Sequence, residues 1–140
     1  MDVIKFYEGE FYLLSNFSAH QVMYSGVEYM TSEHAYQVAK FEDPTMREKI
    51  KNASSAFLAR EYGQSKEGLT SGFDKVAVMK EIMRAKLLQH QDVREKLLAT
   101  EDALLEKNHP RDYFWGTGKD GSGKNIMGQI WMELRSEIKN

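Results

Sequence analysis

The 140-residue sequence contains no cysteine, only two prolines and no apolar run longer than a few residues. Without cysteine, the chain has no disulfide framework, no thiolate zinc site and no cysteine nucleophile. The short apolar runs exclude a membrane-spanning helix and no signal peptide opens the sequence, so we expect a cytoplasmic protein without a membrane partner. Neither sign of charge predominates, because 19 basic and 21 acidic residues give a net charge of −2. This balance argues against a general polyanion-binding surface and leaves room for a local basic pocket.

The sequence does have the length and the apolar content of one globular domain, which we expect to span residues 1–140. The segment Val3–Tyr7 is a predicted strand, and Ser25-Gly26 is a hairpin signal between residues 21–24 and 27–29. Capping residues and apolar spacing then predict helices for most of the remaining chain. We expect helices from residue 31 or 32 to about 41, from residue 44 onward, from residue 54 or 55 to 63, and at about 74–90 and 92–99. A final helix is expected to carry Ile130, Trp131, Leu134 and Ile138. The predicted fold class is α+β, a predominantly α-helical single domain with a small N-terminal antiparallel β-sheet.

The first predicted helix carries a polar stripe that can support acid–base chemistry. At 100° per residue, Glu33, Tyr36, Gln37 and Lys40 fall within one sector of about 120°. A carboxylate and an amine are therefore presented two turns apart on one side of the helix. A solvated polar face produces the same pattern, and spacing alone favours that ordinary use.

Lys86 stands out because it lies between Met79, Ile82 and Met83 on the apolar side of the longest predicted helix. A lysine in this position either extends its ammonium group to the edge of the core or points into a pocket. Extension to the edge is the more common outcome, and we expect it here.

A glycine-rich segment, Gly118–Asn125, is one residue shorter than a Walker A motif and has Asn125 where a magnesium-binding hydroxyl would stand. We therefore do not expect a nucleoside triphosphatase. The backbone amides around Gly123, together with Lys124 at the start of the last helix, can hold a phosphate, and a flexible solvent loop is the alternative. The four histidines show no paired metal spacing, so we expect neither a metal nor a cofactor.

Immediately before this segment, Asp112 lies three residues from Trp115. A carboxylate beside an indole, next to a possible phosphate site, suits a flat base attached to a ribose phosphate, because bases stack on aromatic faces. The neighbouring Tyr113 and Phe114 are expected in the core.

These segments together resemble the motifs of the NADAR family, whose bacterial YbiA-type members are N-glycosidases. The segment with Ser15 and Asn16 resembles the N-terminal Ser-Asn-Phe motif, and Thr31–Phe41 resembles the most diagnostic helix of the family. The remaining resemblance lies in Arg84–Lys86 with Gln89-His90, in Asp112–Gly116, in Gly123–Asn125 with Gly128, and in Met132–Arg135. We identify the sequence as a member of this family.

The resemblance implies a mainly helical domain that cleaves the bond between a ribose and a base. It marks Glu33, Lys40 and Asp112 as catalytic candidates, with Lys40 a possible amine nucleophile. The substrate-binding candidates are Ser15, Asn16, Phe73, Lys86, Trp115, Gly123, Lys124 and Asn125. Two positions depart from the family pattern: Phe73 stands where YbiA-type relatives usually have tryptophan, and Tyr12-Leu13 stands where many carry a glycine.

The resemblance leaves three functions open. The first is hydrolysis of a phosphorylated ribosylamino-pyrimidine of the riboflavin pathway, which the small charge of −2 favours. The second is removal of ADP-ribose from guanine in DNA or nucleotides, which ordinarily needs a phosphate-binding surface. The third is a non-catalytic ADP-ribose- or nucleotide-binding module, which the joint presence of Glu33, Lys40 and Asp112 disfavours.

Overall fold

Six α-helices, four short β-strands and one 3-10 turn make up residues 2–139, the part of the chain that the computed structural model describes. The α+β fold class is thereby confirmed. The chain packs as two compact units: a central unit, Asn16–Gln89, and a terminal unit with the residues up to Ser15 and from His90 onward. The elements are β1 (Val3–Lys5), a 3-10 turn (Tyr12–Leu14), β2 (Val22–Tyr24), β3 (Val27–Tyr29), α1 (Ser32–Ala39), α2 (Pro44–Lys51), α3 (Ala56–Tyr62), α4 (Lys75–Gln89), α5 (Gln91–Ala99), β4 (Leu104–Glu106) and α6 (Ile126–Lys139).

The central unit starts with the predicted hairpin of β2 and β3. The strands are antiparallel, with Val22 opposite Tyr29. The two turn residues, Ser25 and Gly26, have φ angles of 51° and 78°. Two left-handed residues in a row are typical of the tight turn whose twist matches that of the paired strands.

Side-chain caps start three of the four helices of the central unit, close to where the sequence predicts them. The Thr31 side chain accepts a hydrogen bond from the His34 N–H, Asp43 accepts from Met46, and Ser55 accepts from Leu58. Each cap satisfies an N–H group that would otherwise lack a partner in the first helical turn. These starts are therefore local properties of the chain.

Helix α1 is the centre of this unit. It packs against α2, α3 and α4, and its residues from Ser32 to Val38 are all buried. His34 is fully buried and is held at both ring nitrogens, by Thr31 Oγ1 at 2.8 Å and by the Ala53 carbonyl at 3.0 Å. Because a carbonyl only accepts, Nε2 of His34 carries the proton. His34 is thus a core residue that fixes α1.

The long helix α4 places its apolar side in the core, with Met79, Ile82, Met83 and Leu87 buried. Val76, in the first turn of the helix, is 37% exposed. Among residues 2–139, no helix combines the length and the apolar character that crossing a membrane requires.

The terminal unit contains a strand pair that the sequence did not predict. Strand β1 pairs in parallel with β4, with Ile4 opposite Leu105. The expected N-terminal sheet is therefore antiparallel only in the β2–β3 hairpin, because β1 pairs in parallel with a strand from the C-terminal half of the chain. Trp131 of α6 is fully buried and donates its indole N–H to the Leu14 carbonyl at 2.9 Å.

Candidate active-site residues

The polar stripe of α1 forms a chain of hydrogen bonds that is buried at Glu33 and Gln37 and half-buried at Lys40. Gln37 donates its amide N–H to Glu33 Oε2 at 2.6 Å, and its amide oxygen accepts from Lys40 Nζ at 3.0 Å. Glu33 and Gln37 are only 8% and 5% exposed. The expectation of a solvated polar face is therefore wrong, because α1 is covered by the helices around it.

The carboxylate of Glu33 has one oxygen engaged and one available. Gln37 binds Oε2, whereas Oε1 has no hydrogen bond among the described residues. The backbone N–H of Glu33 donates to the Asn16 carbonyl at 3.1 Å, which fixes the start of the helix. A largely dehydrated carboxylate held in one orientation can stabilise positive charge or accept a proton, because its interactions are stronger away from water.

Lys40 occupies the other end of the chain. Its ammonium donates to Gln37 and to the Gly63 carbonyl, the latter at 2.7 Å. Burial lowers the pKa of Lys40, Glu33 opposes this change, and the positive charges of Lys66 and Lys75 reinforce it. A lysine with a lowered pKa supplies a larger fraction of neutral amine near neutral pH, which is the form that attacks a carbon.

Gly63 allows this arrangement because it has no side chain. A Cβ at this position would collide with the side-chain amide of Gln37. The φ angle of Gly63 is −71°, which any residue can adopt. Glycine is therefore needed at this position because Gln37 approaches it closely, and the backbone conformation itself does not require it.

An aromatic side chain of the same helix, Tyr36, contacts the ring of Phe73. The Tyr36 ring lies 5.9 Å from the Phe73 ring, with the planes tilted by 52°. Burial, followed by the charge of Glu33, raises the pKa of Tyr36, so its phenol stays protonated. Phe73, a predicted substrate-binding residue, therefore contacts the polar stripe of α1 through the Tyr36 ring.

Two buried polar atoms lie on residues next to Glu33 in the structure. Among the described residues, Asn16 Oδ1 and Ser32 Oγ have no hydrogen-bond partner, whereas Asn16 Nδ2 donates to Met79 Sδ at 3.2 Å. A buried polar atom without a partner costs about 1–3 kcal/mol. Asn16, which the sequence marks as substrate-binding, therefore has an acceptor to offer.

Lys86 is fully buried, so the expectation that it reaches the edge of the core is wrong. Its ammonium donates to Ser18 Oγ at 2.6 Å, and Ser18 Oγ lies 2.8 Å from His20 Nδ1. These polar partners make the extension to solvent unnecessary, because a buried charge is tolerated where hydrogen bonds replace its hydration. Contact of Lys86 with substrate stays a prediction.

In the terminal unit, Asp112 organises its own loop. One carboxylate oxygen pairs with Lys107 Nζ at 2.9 Å, and the other accepts from the backbone N–H groups of Phe114 and Trp115. Burial alone would raise the pKa of Asp112, but the Lys107 charge and the backbone hydrogen bonds outweigh it and hold this pKa below its ordinary value. A carboxylate so engaged is suited to positioning Trp115 more than to donating a proton.

Trp115 and Lys124 keep surface for a ligand in the same unit. Trp115 is half-buried and meets the Phe114 ring edge-on, with the centroids 4.8 Å apart. Lys124 is exposed, and its ammonium lies 5.7 Å from the Phe114 ring. Phe114, expected in the core, is also half-buried, and Tyr113 is 46% exposed.

Three backbone amides at the end of the glycine-rich loop are hydrogen-bonded within the protein. The backbone N–H groups of Gly123, Lys124 and Asn125 all donate to carbonyls of residues 113–117, at 2.7–2.9 Å. These three amides therefore already have partners within the protein, and phosphate contact at Gly123 stays a prediction. Lys124 keeps only its side chain for that role.

Asn125 has a structural role. Its side-chain oxygen accepts from the Lys107 N–H at 3.0 Å, and its side-chain nitrogen donates to the Leu105 carbonyl at 2.9 Å. Both ends of the amide thus join β4 to the start of α6. Ser15, the other candidate in this unit, is buried at the end of the 3-10 turn.

Within the central unit the structure brings Glu33, Lys40 and Asn16 together at α1, and within the terminal unit it brings Asp112 and Trp115 to one turn. Sequence reasoning did not identify Gln37 as a bridge or Gly63 as its neighbour. Gln37 falls in the predicted stripe, so spacing could have found it. Lys107 had no sequence signal as the ion partner of Asp112.

The comparison with protein families decides the identity of this fold. The model of the NADAR domain matches residues 5–139, which include parts of both units. The chain belongs to the NADAR family.

Relatives of this NADAR protein are similar along most of its length. The N-glycosidase YbiA of Escherichia coli (strain K12) is 38% identical over 144 positions, which cover 97% of this chain and 88% of that protein. An N-glycosidase of Nostoc punctiforme is 38% identical over 132 positions, covering 90% of this chain and 85% of that protein. A riboflavin biosynthesis protein of Vibrio vulnificus is 40% identical over 131 positions, covering 90% of this chain and 35% of the much longer relative.

A solved structure resembles the fold as well. The NMR structure of the E. coli protein YbiA matches with a TM-score of 0.89 and 36% identity, covering 99% of this chain and 85% of that chain. The resemblance of motifs and the fold class therefore agree with an independent structure.

Proposed function

We propose that this NADAR-family enzyme hydrolyses the N-glycosidic bond of a phosphorylated ribosylamino-pyrimidine. Membership of the NADAR family and the N-glycosidase names of its relatives identify it as an N-glycosidase. The observation that carries the proposal is the Glu33–Gln37–Lys40 chain, which holds a carboxylate and an amine in fixed positions. The Vibrio relative is named a riboflavin biosynthesis protein, which supports a substrate from riboflavin synthesis.

The reaction needs a carboxylate near the sugar. As the bond between C1′ and the base nitrogen breaks, its electron pair leaves with the base and positive charge builds on the ribose. Glu33 stabilises that charge, and its available oxygen, Oε1, can accept a proton from the water that attacks C1′. The base takes up one proton, so that the products are the free base and the ribose phosphate.

Lys40 has two possible roles, and they are chemically distinct. Its neutral amine can attack C1′ directly and pass through a Schiff base, which the lowered pKa favours. Alternatively, its ammonium orients Glu33 through Gln37 and attracts the substrate phosphate. The hydrogen bonds to Gln37 and Gly63 are compatible with both roles.

The remaining contacts follow from the chemistry of the substrate. Within the terminal unit, Trp115 offers a surface on which a base can stack, because a half-exposed indole presents a flat apolar face. Asp112 keeps Trp115 in place through its hydrogen bond to the Trp115 N–H at 2.9 Å. Asn16 Oδ1 accepts a hydrogen bond from a ribose hydroxyl, which would satisfy a buried atom that lacks a partner.

Release of free base by the purified protein tests the proposal. A phosphorylated ribosylamino-pyrimidine and an ADP-ribosylated guanine are supplied in parallel, and the products are separated by chromatography. We expect Glu33→Gln to lower kcat by about 10²- to 10⁴-fold, whereas Glu28→Gln, at an exposed carboxylate of β3, should leave it unchanged. Full activity of Glu33→Gln would refute the role of this carboxylate.

The other outcomes separate the alternatives. Cleavage of the ADP-ribosylated guanine alone would replace the proposed substrate, and binding of ADP-ribose without cleavage of either compound would indicate a binding module. Borohydride added during turnover should trap an adduct on Lys40 if the amine attacks C1′. Normal turnover without an adduct, together with activity of Lys40→Arg, would leave Lys40 only its electrostatic role.

A further inference from the structure

Two buried polar atoms on residues next to Glu33, Asn16 Oδ1 and Ser32 Oγ, lack a hydrogen-bond partner within the part of the chain that the structure describes. Both belong to the central unit, and their residues are only 5% and 1% exposed. Folded proteins pair nearly all of their buried polar groups, so each exception calls for an explanation. Asn16 is a predicted substrate-binding residue, whereas no pattern in the sequence marks Ser32 as part of a site.

The backbone brings these two residues to the same place beside Glu33. Ser32 begins α1 and directly precedes Glu33 in the chain. The Glu33 N–H donates to the Asn16 carbonyl at 3.1 Å, so the backbone of Asn16 lies against the peptide bond that joins Ser32 to Glu33. The two unpaired side chains and the Glu33 carboxylate therefore start from three neighbouring positions.

Other polar groups near this point are already used by the fold. Asn16 Nδ2 donates to Met79 Sδ at 3.2 Å, so the oxygen is the end of this amide that a ligand can use. The Thr31 hydroxyl accepts from the His34 N–H and lies 2.8 Å from His34 Nδ1. Because Nε2 of His34 carries its proton, Nδ1 accepts the proton of Thr31. The Thr31 hydroxyl is therefore fully engaged, whereas that of Ser32 is not.

The two unpaired atoms have complementary hydrogen-bonding properties. An amide oxygen only accepts hydrogen bonds, whereas a serine hydroxyl donates one and also accepts. A single hydroxyl group of a ligand serves both atoms, because it donates its proton to Asn16 Oδ1 and accepts the proton of Ser32 Oγ. An ionised phosphate or carboxylate has no proton to give and would leave Asn16 Oδ1 without a partner. The pair therefore favours a small neutral hydroxyl over a charged group.

We propose that Ser32 Oγ and Asn16 Oδ1 bind the 2′-hydroxyl of the substrate ribose and thereby select ribosides over 2′-deoxyribosides. This inference rests on the proposed function, in which Glu33 acts at C1′. The 2′-hydroxyl is attached to the carbon next to C1′, so a sugar whose C1′ faces Glu33 brings this hydroxyl to the residues beside Glu33. A 2′-deoxyribose would leave both buried atoms without partners, and a site built around a hydroxyl rejects the analogue that lacks it.

Binding of two sugar phosphates tests the pair without turnover. The Kd values of ribose 5-phosphate and 2-deoxyribose 5-phosphate are measured by two-dimensional NMR titration of the wild type and of Ser32→Ala. We expect the wild type to bind ribose 5-phosphate at least about ten-fold more tightly than the deoxy sugar, since two hydrogen bonds are at stake. Ser32→Ala should lower this preference by at least about three-fold, because one of the two bonds is lost. The Kd of the deoxy sugar should stay at its wild-type value.

Stability measurements separate ligand binding from a structural role of Ser32. Ser32→Ala removes a buried atom that has no partner, so its free energy of unfolding should equal or exceed that of the wild type. Ser55→Ala is the matched control, because the Ser55 hydroxyl accepts from the Leu58 N–H at 3.1 Å and caps α3. Loss of this cap should destabilise the protein, while the preference for ribose 5-phosphate stays at its wild-type value.

The amide of Asn16 is tested at both ends. Asn16→Ala removes the oxygen and should lower the preference for ribose 5-phosphate as Ser32→Ala does. Met79→Leu removes only the acceptor of Asn16 Nδ2, in a substitution that nearly conserves volume. This control should leave the preference unchanged.

The proposal is overturned if the wild type fails to prefer ribose 5-phosphate by at least about three-fold, or if Ser32→Ala keeps the full wild-type preference. Its failure is distinct from failure of the proposed function. Glu33→Gln should lose turnover but retain the preference for ribose 5-phosphate. That preference without base release by the wild type would contradict the enzymatic proposal alone, whereas base release without the preference would contradict the 2′-hydroxyl site alone.

Discussion

Replacing Gly63 by alanine should disrupt the Glu33–Gln37–Lys40 chain without straining the backbone. At a φ angle of −71° alanine is allowed, and by restricting the unfolded chain it would normally stabilise a protein by about 0.4–1 kcal/mol. The added Cβ, however, collides with the Gln37 side-chain amide. Gln37 must then move away from both of its charged partners.

The magnitude follows from the hydrogen bonds that would be lost. Gln37 makes one bond to the Glu33 carboxylate and one to the Lys40 ammonium, and a hydrogen bond to a charged group contributes about 1.5–3 kcal/mol. After the gain from the unfolded state is subtracted, Gly63→Ala should lower the free energy of unfolding by about 2–5 kcal/mol. Activity of the folded protein should fall with the loss of carboxylate orientation.

Urea unfolding of a double-mutant cycle provides the assay. With Gln37→Ala in place the clash is gone, so Gly63→Ala should now stabilise the protein, by about 0.4–1 kcal/mol. The reasoning would be refuted if Gly63→Ala alone stabilised the protein and kept wild-type kcat. It would also be refuted if the substitution were equally damaging with and without Gln37.

Other residues of the fold lead to further expectations. His34→Ala should lower the free energy of unfolding by about 2–4 kcal/mol, because it opens a cavity and leaves the Ala53 carbonyl without its donor. Asp112→Asn should destabilise the protein by about 1–3 kcal/mol at pH 7 through loss of the Lys107 pair. Because the folded pKa of Asp112 lies below its ordinary value of 3.8, its stabilising effect is full above that value and is lost as the pH falls through the folded pKa. Asn125→Ala should be more destabilising than Asn125→Gly by about 1 kcal/mol, since the φ angle of 52° is left-handed.

Chemical denaturation at several pH values checks these expectations. Glu10→Gln is the matched control for Asp112→Asn, because Glu10 pairs with Lys96 and is 71% exposed, so its loss should cost less than about 1 kcal/mol. An equal effect of the two variants would contradict the role of burial at Asp112. Wild-type stability of His34→Ala would contradict its place in the core, and equal effects of alanine and glycine at position 125 would contradict the backbone argument.

The sequence identified candidate site residues more reliably than it identified what each residue does in the structure. Spacing placed Glu33, Gln37 and Lys40 on one side of α1, and the structure links the three by hydrogen bonds. Spacing could not tell a solvated stripe from a buried one, since this depends on helices supplied by other segments. For Asn125, a motif pattern suggested substrate contact, whereas the partners that occupy its amide come from β4 and the residue after it.

Local physical chemistry in the sequence determined where the helices of the central unit begin and where the hairpin turns. Thr31, Asp43 and Ser55 cap helices through residues only three positions away. Family membership was likewise readable, because several separated motifs occur in order. Only tertiary packing decided that β1 pairs with β4, that Lys86 is fully buried and that the glycine-loop amides are occupied. The physical reason is that burial and hydrogen-bond partnership depend on residues far apart in the chain, which no local pattern specifies.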